Sequence, residues 1–142
     1  MKIKRKGSAV WQGGLKDGRG AISTESGALK DYPYAFASRF EGQRGSNPEE
    51  LIAAAHASCF TMALSKILGD AKLTAQRLST SAEVTLEQVN GDFAITAVHL
   101  TLKANIPGAD QATFEKLAAT AKAGCPVSKL LKADISLDAS LE

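Results

Sequence analysis

Two cysteines, Cys59 and Cys125, are the side chains of this sequence best suited to chemistry. The thiolate is the reactive form of cysteine, so the surroundings that favour deprotonation matter most. Cys59 lies within an apolar, alanine-rich run and, taken alone, is more typical of a small core side chain. Cys125 directly precedes Pro126, which favours a helix start, and the N–H groups there stabilise a thiolate. Local rules therefore favour Cys125 as the more reactive thiol.

A pair of thiols can reduce a peroxide if a fixed cation accompanies the attacking one. The thiolate attacks one oxygen of the O–O bond, and the resulting sulfenic acid condenses with a second thiol to form a disulfide. Arginine can hold the thiolate without losing its own proton, and a carboxylate can orient the arginine. The sequence supplies two cysteines, five arginines and several carboxylates, so this chemistry is available to it.

Composition and charge narrow the class of protein. The chain has 142 residues, 44% hydrophobic content and a net charge of +2, which predicts one domain spanning residues 1–142. The basic run at 2–6 fits a solvated strand edge better than a nucleic-acid site. The basic start lacks an apolar stretch, and no segment approaches the roughly 20 apolar residues of a membrane span. We therefore expect a cytoplasmic protein with reduced cysteines, no nucleic-acid partner and no membrane attachment.

A metal site is not expected. A Cys/His zinc site would need both cysteines together with His56 and His99 in one place. His99 lies in a predicted strand, and no residue stands beside it at ligand spacing.

The elements that must position these residues form an α+β pattern. Turn signals at Asp17-Gly18 and Asn90-Gly91 separate predicted antiparallel strands. We predict a mostly antiparallel sheet with two central helices. The predicted strands are 3–11, 20–25, 34–40, 77–89, 93–104 and 135–141, and the predicted helices are 48–68, 110–124 and a short one from 126.

The first long helix has a strong start signal. Asn47 can cap it, Pro48 suits its first position, and Glu49 and Glu50 suit the positive end of its dipole. Gly69 marks its end. Because the helix is apolar all round, we expect it to be central and buried on most sides.

Helix geometry constrains which groups can serve Cys59. Glu49 and Cys59 are ten residues apart, which is about 15 Å along the axis and roughly 80° around it. Glu49 therefore cannot reach Cys59 of its own chain without a sharp bend. If Glu49 serves that site, it must come from a second subunit. The more ordinary role for Glu49 is to stabilise the helix dipole.

Two motifs resemble those of a known family. The run 47–60, Asn-Pro-Glu-Glu-Leu-Ile-Ala-Ala-Ala-His-Ala-Ser-Cys-Phe, is similar to the signature of the OsmC/Ohr family of organic hydroperoxide reductases. The run 123–128, Ala-Gly-Cys-Pro-Val-Ser, resembles its second cysteine motif. Segments resembling the OsmC branch rather than the Ohr branch are Trp11, 18–20, 23–27 and 39–42. The likeness covers essentially the whole chain.

The resemblance implies an intertwined homodimer with two active sites at the subunit interface. It makes Cys59 the peroxidatic cysteine and Cys125 the resolving one, joined after oxidation by an intramolecular disulfide. It has Arg39 hold the thiolate and Glu49 orient Arg39, with this pair donated by the other subunit. Arg19 is the alternative to Arg39, because the Ohr branch places its arginine earlier in the chain. Glu50 is a weaker alternative to Glu49.

The resemblance also implies no metal, haem or flavin cofactor. It implies organic hydroperoxides, including those of fatty acids, as substrates that are reduced to alcohols in oxidative or osmotic stress defence. The reductant would be a dithiol, often a dihydrolipoyl group. Four apolar residues have two interpretations: they line a substrate pocket, or they belong to the ordinary core. They are Phe36, Phe40, Leu51 and Phe60. The alternative functions are a non-catalytic stress or ligand-binding protein and a cysteine-based redox sensor.

Overall fold

The structure, a computed structural model, describes all 142 residues. The chain divides into two compact units, Met1–Leu51 and Ile52–Glu142. The elements in chain order are β1 Gly7–Gln12, β2 Arg19–Thr24, β3 Tyr32–Tyr34, α1 Phe36–Phe40, α2 Pro48–Asp70, β4 Arg77–Val89, β5 Asp92–Asn105, α3 Gln111–Gly124, α4 Pro126–Leu130 and β6 Asp134–Leu141.

The first unit contains a three-stranded antiparallel sheet in the order β1-β2-β3. Trp11 and Tyr34 lie on either side of Gly20 in the register, and their rings are 5.4 Å apart between centroids. A Cβ at Gly20 would lie 2.3 Å from the Tyr34 ring, so only glycine fits between the two aromatic side chains. This aromatic pair fixes one wall of the cavity described below.

The predicted strand at 34–40 is wrong over most of its length. The structure has the short strand β3 and then the helix α1. Phe36 and Phe40 alternate with small residues, but they are also four residues apart, and their rings are 4.9 Å between centroids on the helix. The Ser38 hydroxyl accepts the Ala35 N–H at 2.9 Å, which satisfies a donor at the helix start. This local hydrogen bond favours the helix over the strand.

The second unit contains the sheet β4-β5-β6 with two helices packed on it. Strands β4 and β5 form the predicted antiparallel hairpin, and Asn90 and Gly91 at its turn both have positive φ, 52° and 88°. Strand β6 pairs parallel to β5. The predicted α+β class with a mostly antiparallel sheet is therefore confirmed.

The core of the second unit lies between the sheet and helices α2 and α3. Its fully buried large side chains are Phe60, Leu64, Leu68, Val98, Leu100, Leu102 and Phe114. The predicted burial of α2 on most sides is wrong for the single chain, because only one stripe is buried: His56, Phe60, Leu64 and Leu68. By length and mean hydropathy, 1.5, α2 could cross a membrane, although core helices of soluble proteins meet the same test. Cys59, Ala63 and Ile67 are partly buried against the core, whereas Ala54, Ala55 and Met62 are exposed.

Candidate active site

Arg39 and Glu49 form an ion pair in the first unit. Arg39 lies on α1, and Glu49 lies in the first turn of α2, whose start is capped by a hydrogen bond from the Glu50 N–H to Asn47 Oδ1 at 2.8 Å. The Arg39 Nη2 donates to Glu49 Oε1 at 2.8 Å, and Nε donates to Oε1 and Oε2 at 3.2 and 3.3 Å. This forked arrangement holds the guanidinium in one orientation.

The Arg39 side chain lines a cavity that is rich in aromatic residues. The cavity has a volume of about 270 Å³ and is lined by Trp11, Leu15, Tyr34, Ala35, Phe36, Arg39 and Phe40. The Arg39 Cζ lies 5.3 Å from the centroid of the Phe40 ring, which is within cation–π range. Phe36 and Phe40 therefore line an apolar cavity wall, as one of the two interpretations predicted. The first unit thus presents a fixed cation in a largely apolar setting.

Cys59 and Cys125 come together in the second unit, and both are free thiols. Cys59 lies on α2 and is half-buried, whereas Cys125 is the N-cap residue of α4 and is fully buried. Each thiol shifts the pKa of the other, so the two side chains are neighbours. Such proximity is what formation of a disulfide within one chain requires.

The two thiols differ in acidity. Burial and the hydrogen bond with Cys125 raise the pKa of Cys59 above that of an ordinary thiol, against a smaller effect of the Val127 backbone. Burial also opposes ionisation of Cys125, but hydrogen bonds from Cys59, Ser128 and Val127 outweigh it and lower its pKa. Within the second unit, therefore, the pKa of Cys125 is lowered and that of Cys59 is raised, and the backbone at the start of α4 contributes to the lowering.

An apolar pocket lies beside Cys59. It has a volume of about 580 Å³ and is lined by Ser58, Cys59, Met62, Ala63, Lys66, Ile67, Thr120, Gly124 and Pro126. Cys59, Met62, Ala63 and Lys66 share one face of α2, at helical spacings of three, four and seven residues. Cys125 does not line this pocket, so Cys59 is the thiol that a molecule in the pocket would meet.

His56 has a position that the sequence did not predict. It is fully buried, and its Nε2 lies 2.7 Å from the Ser128 hydroxyl oxygen, while its Nδ1 has no hydrogen-bond partner. Burial lowers the pKa of this imidazole, so it is held neutral. The sequence feature that could have indicated this pair is its spacing from the cysteines, since His56 precedes Cys59 by three residues and Ser128 follows Cys125 by three.

The predicted site residues thus form two groups. Arg39 and Glu49 are paired in the first unit, and Cys59 and Cys125 are neighbours in the second. Arg39 is the one arginine in an ion pair, whereas Arg19 and Glu50 form none. Phe60 belongs to the core rather than to either cavity. No group of three or more His, Cys, Asp or Glu side chains could hold a metal ion.

Sequence comparisons identify relatives over most or all of the chain. A family described as OsmC-like protein matches residues 40–140. Peroxiredoxin OsmC of Escherichia coli is 52% identical over 142 residues, which cover all of this chain and 99% of that protein. The organic hydroperoxide resistance protein of Xanthomonas axonopodis pv. citri is 32% identical over 101 residues, which cover 70% of this chain and 69% of that one.

Solved structures with similar folds agree with these matches. The organic hydroperoxide resistance protein OhrB of Bacillus subtilis has a TM-score of 0.68 at 26% identity, covering 96% of this chain and 98% of that one. An OsmC-like protein from Mycoplasma pneumoniae has a TM-score of 0.77 at 14% identity, covering 99% of both chains. The second likeness concerns the fold alone.

Proposed function

The chain belongs to the OsmC family, and from that premise we propose that it is a thiol-dependent peroxidase that reduces organic hydroperoxides to alcohols in oxidative or osmotic stress defence. The observation that carries this function is the proximity of two free thiols, one of which lines an apolar pocket. One thiol is accessible to a substrate, and the second is positioned to form a disulfide with it. A non-catalytic binding protein of the same fold would have no need of this thiol pair.

The proposed reaction has two steps on the protein. The Cys59 thiolate attacks the terminal oxygen of the hydroperoxide, the O–O bond breaks, and the alkoxide leaves and takes a proton to become the alcohol. Cys59 is then a sulfenic acid. The Cys125 thiolate attacks the Cys59 sulfur, the S–O bond breaks, and hydroxide leaves and is protonated to water. An external dithiol reduces the resulting disulfide and is itself oxidised to a disulfide.

Access supports the assignment of Cys59 as the attacking thiol. Cys59 lines the apolar pocket, whereas Cys125 is fully buried and lies outside it. A hydroperoxide with an organic substituent can therefore reach Cys59 first. The raised pKa of Cys59 means that this thiol needs a cation to ionise at neutral pH.

We propose that the cation is Arg39 of a second subunit, oriented by Glu49 of the same subunit. Helix α2 runs unbroken from Pro48 to Asp70, so its own Glu49 lies about 15 Å along the axis from Cys59. The aromatic cavity around Arg39 and the apolar pocket at Cys59 would then form two halves of one site. Each half is apolar, which suits a hydroperoxide with an organic substituent.

A homodimer would also cover the apolar surface that α2 exposes. Ala54, Ala55 and Met62 are exposed on this helix in the single chain. Small side chains let a second backbone approach closely. We propose that a second copy of the chain, rather than lipid, covers this surface, and that the protein is cytoplasmic. Residues 1–142 would then act as a single OsmC/Ohr-like domain, with a dithiol such as a dihydrolipoyl group as reductant.

Consumption of cumene hydroperoxide in the presence of a dithiol tests the function. We expect turnover by the wild-type protein, complete loss of turnover in Cys59→Ser, and a sulfenic acid that accumulates at Cys59 in Cys125→Ser. Mass spectrometry of the oxidised variants identifies the modified residue. Equally slow consumption by the wild type and Cys59→Ser would show that the protein is not a peroxidase.

A further inference from the structure

The buried pair of His56 and Ser128 takes no part in the two steps described above. The two residues are 72 positions apart in sequence, and both are buried, with 0% and 8% of their surfaces exposed. Their side chains meet at 2.7 Å, a short hydrogen bond between groups removed from water. Burying two polar groups is unfavourable unless they are hydrogen-bonded, so their arrangement is specific.

The unpartnered Nδ1 of His56 identifies the tautomer. If Nδ1 carried the proton, a buried N–H donor would have no acceptor. With the proton on Nε2, Nδ1 has only an unused lone pair, and Nε2–H donates to the Ser128 oxygen. The imidazole stays neutral because burial disfavours its charged form.

This tautomer determines where the Ser128 hydroxyl proton points. Because the Ser128 oxygen accepts from His56, its own proton is available for another acceptor. Ser128 is the third residue of α4 after the N-cap Cys125, so its side chain and backbone N–H both face back toward the cap. Both groups of Ser128 lower the pKa of Cys125, which places them close to its thiol.

We propose that His56 and Ser128 are positioning residues for the resolving step: the Nε2–H of His56 donates to Ser128 Oγ, and the Ser128 hydroxyl donates to Cys125 Sγ and holds it as the thiolate that attacks Cys59. The inference rests on the proposed peroxidase function, of which it concerns the second step. His56 acts through Ser128 and touches neither the substrate nor the reacting sulfur of Cys59.

The proposed hydrogen bonds, from His56 to Ser128 and from Ser128 to Cys125, are consistent with the bonds that form and break in the resolving step. Cys125 attacks as a thiolate, and the S–O bond of the Cys59 sulfenic acid breaks. The leaving hydroxide takes up a proton, equivalent to the one that Cys125 had released, and becomes water. His56 supplies a hydrogen bond and no proton. The titratable groups that face Cys125 are the Cys59 thiol and, through Ser128, the His56 imidazole, both on α2.

Titration of Cys125 in a Cys59→Ser background tests the proposal without any need for activity. The thiolate absorbs ultraviolet light more strongly than the thiol, so the midpoint of its titration can be followed by absorbance as the pH is changed. We expect Ser128→Ala to raise the midpoint by about one pH unit, because a hydrogen bond to the charged form is lost. Ser128→Thr keeps the hydroxyl and should keep the midpoint close to that of the parent.

A second matched pair tests His56. His56→Gln can place an amide N–H near the position of Nε2, whereas His56→Leu cannot donate. We expect the midpoint of Cys125 to rise in His56→Leu and to stay lower in His56→Gln. Equal midpoints for Ser128→Ala and Ser128→Thr would overturn the proposal, and this comparison decides it even if a His56 variant fails to fold.

Stopped-flow measurements on the two-cysteine protein locate the effect in the reaction. With cumene hydroperoxide, the ratio of the rate of sulfenic acid formation to the rate of disulfide formation should rise at least tenfold in Ser128→Ala. Ser128→Thr should restore the parent ratio, and an unchanged ratio in Ser128→Ala would contradict the proposal. If the protein did not react with hydroperoxide at all, the proposed function would fail, while the titration would still decide the role of the buried pair.

Discussion

At the level of single residues, the proposed chemistry uses two different thiols: Cys59 is accessible, and Cys125 is the more acidic. Cys59 lines the pocket but has a raised pKa, whereas Cys125 has a lowered pKa but is buried. A buried nucleophile is acceptable for the resolving step, because its target is the Cys59 sulfur beside it. An accessible nucleophile with a raised pKa needs help, and the Arg39 guanidinium held by Glu49 is the candidate for it.

Replacing Arg39 by lysine should reduce activity despite keeping the charge. The forked contact with Glu49 uses two nitrogens of the guanidinium, and an ammonium group cannot reproduce it. We expect kcat/KM for cumene hydroperoxide to fall by at least about tenfold in Arg39→Lys and by about 10²-fold or more in Arg39→Ala. Peroxide consumption with excess dithiol measures both.

Arg19→Ala is the matched control, because Arg19 is exposed and forms no ion pair with a carboxylate. It should retain kcat/KM within about threefold. In a Cys125→Ser background, the Cys59 thiolate should titrate at higher pH in Arg39→Ala than in Arg19→Ala, because a nearby cation favours the charged form. The reverse order would assign the thiolate-binding role to Arg19.

The residues of the proposed chemistry and the pairing of Arg39 with Glu49 were largely predictable from sequence, but the hydrogen-bond partner of His56 was not. Cys59, Cys125, Arg39 and Glu49 stand in motifs that resemble one family. The role of His56 depends on a hydrogen bond to a residue 72 positions away, and no local rule reveals such a contact. Local rules did predict that the start of α4 lowers the pKa of Cys125, although the larger lowering effect comes from the Cys59 thiol, which no local rule reveals.

At the scale of elements, the start of α2 positions Glu49, so its cap should matter for stability. Asn47 Oδ1 accepts the Glu50 N–H at 2.8 Å. We expect Asn47→Ala to lower the free energy of unfolding by about 1 kcal/mol, and Asn47→Ser, which can cap, to lower it less. Urea denaturation followed by circular dichroism measures both. Equal losses in the two variants would mean that the cap does not stabilise this helix.

The cap of α3 should make stability depend on acid pH. The Thr113 N–H and hydroxyl donate to the Asp110 carboxylate at 2.7 and 3.0 Å, and these hydrogen bonds lower its pKa. The folded pKa is thus below the unfolded one, so the stabilisation is complete above about pH 4 and is lost as pH falls through the folded pKa.

Asp110→Asn isolates this titration, because asparagine caps a helix without ionising. The stability advantage of the wild type over Asp110→Asn should shrink as the pH falls below about 4. Urea denaturation at a series of pH values measures the difference. A difference that stays constant or grows toward acid pH would contradict the assigned hydrogen bonds.

Elements with two independent sequence signals were predicted well. Strand β4 ends at Val89 as predicted, because its alternation and the Asn90-Gly91 turn agree. Helix α1 was missed because spacing of its two phenylalanines fits both a strand and a helix, and the hydrogen bonds of Ser38 favour the helix. The parallel pairing of β6 with β5 is a tertiary choice that neither strand encodes alone.

The whole molecule could not be predicted from the burial rules of a single chain. Helix α2 is apolar all round, which predicts a helix buried on most sides, yet one stripe of it is buried in the chain. Strand β1 is exposed along its whole length. Both observations have one explanation if a second copy covers these surfaces, and that explanation also supplies Cys59 with a cation.

Mixing two inactive variants tests this arrangement directly. Glu49→Ala chains keep Cys59, and Cys59→Ser chains keep Arg39 and Glu49. If Glu49 serves Cys59 of the other subunit, each heterodimer has one intact site, so a mixture that is unfolded and refolded together should regain activity. With equal amounts, half of the dimers are heterodimers, and about a quarter of wild-type activity should return, because each has one site of two. If both residues act within one chain, no heterodimer has an intact site, and the mixture should stay as inactive as its two components.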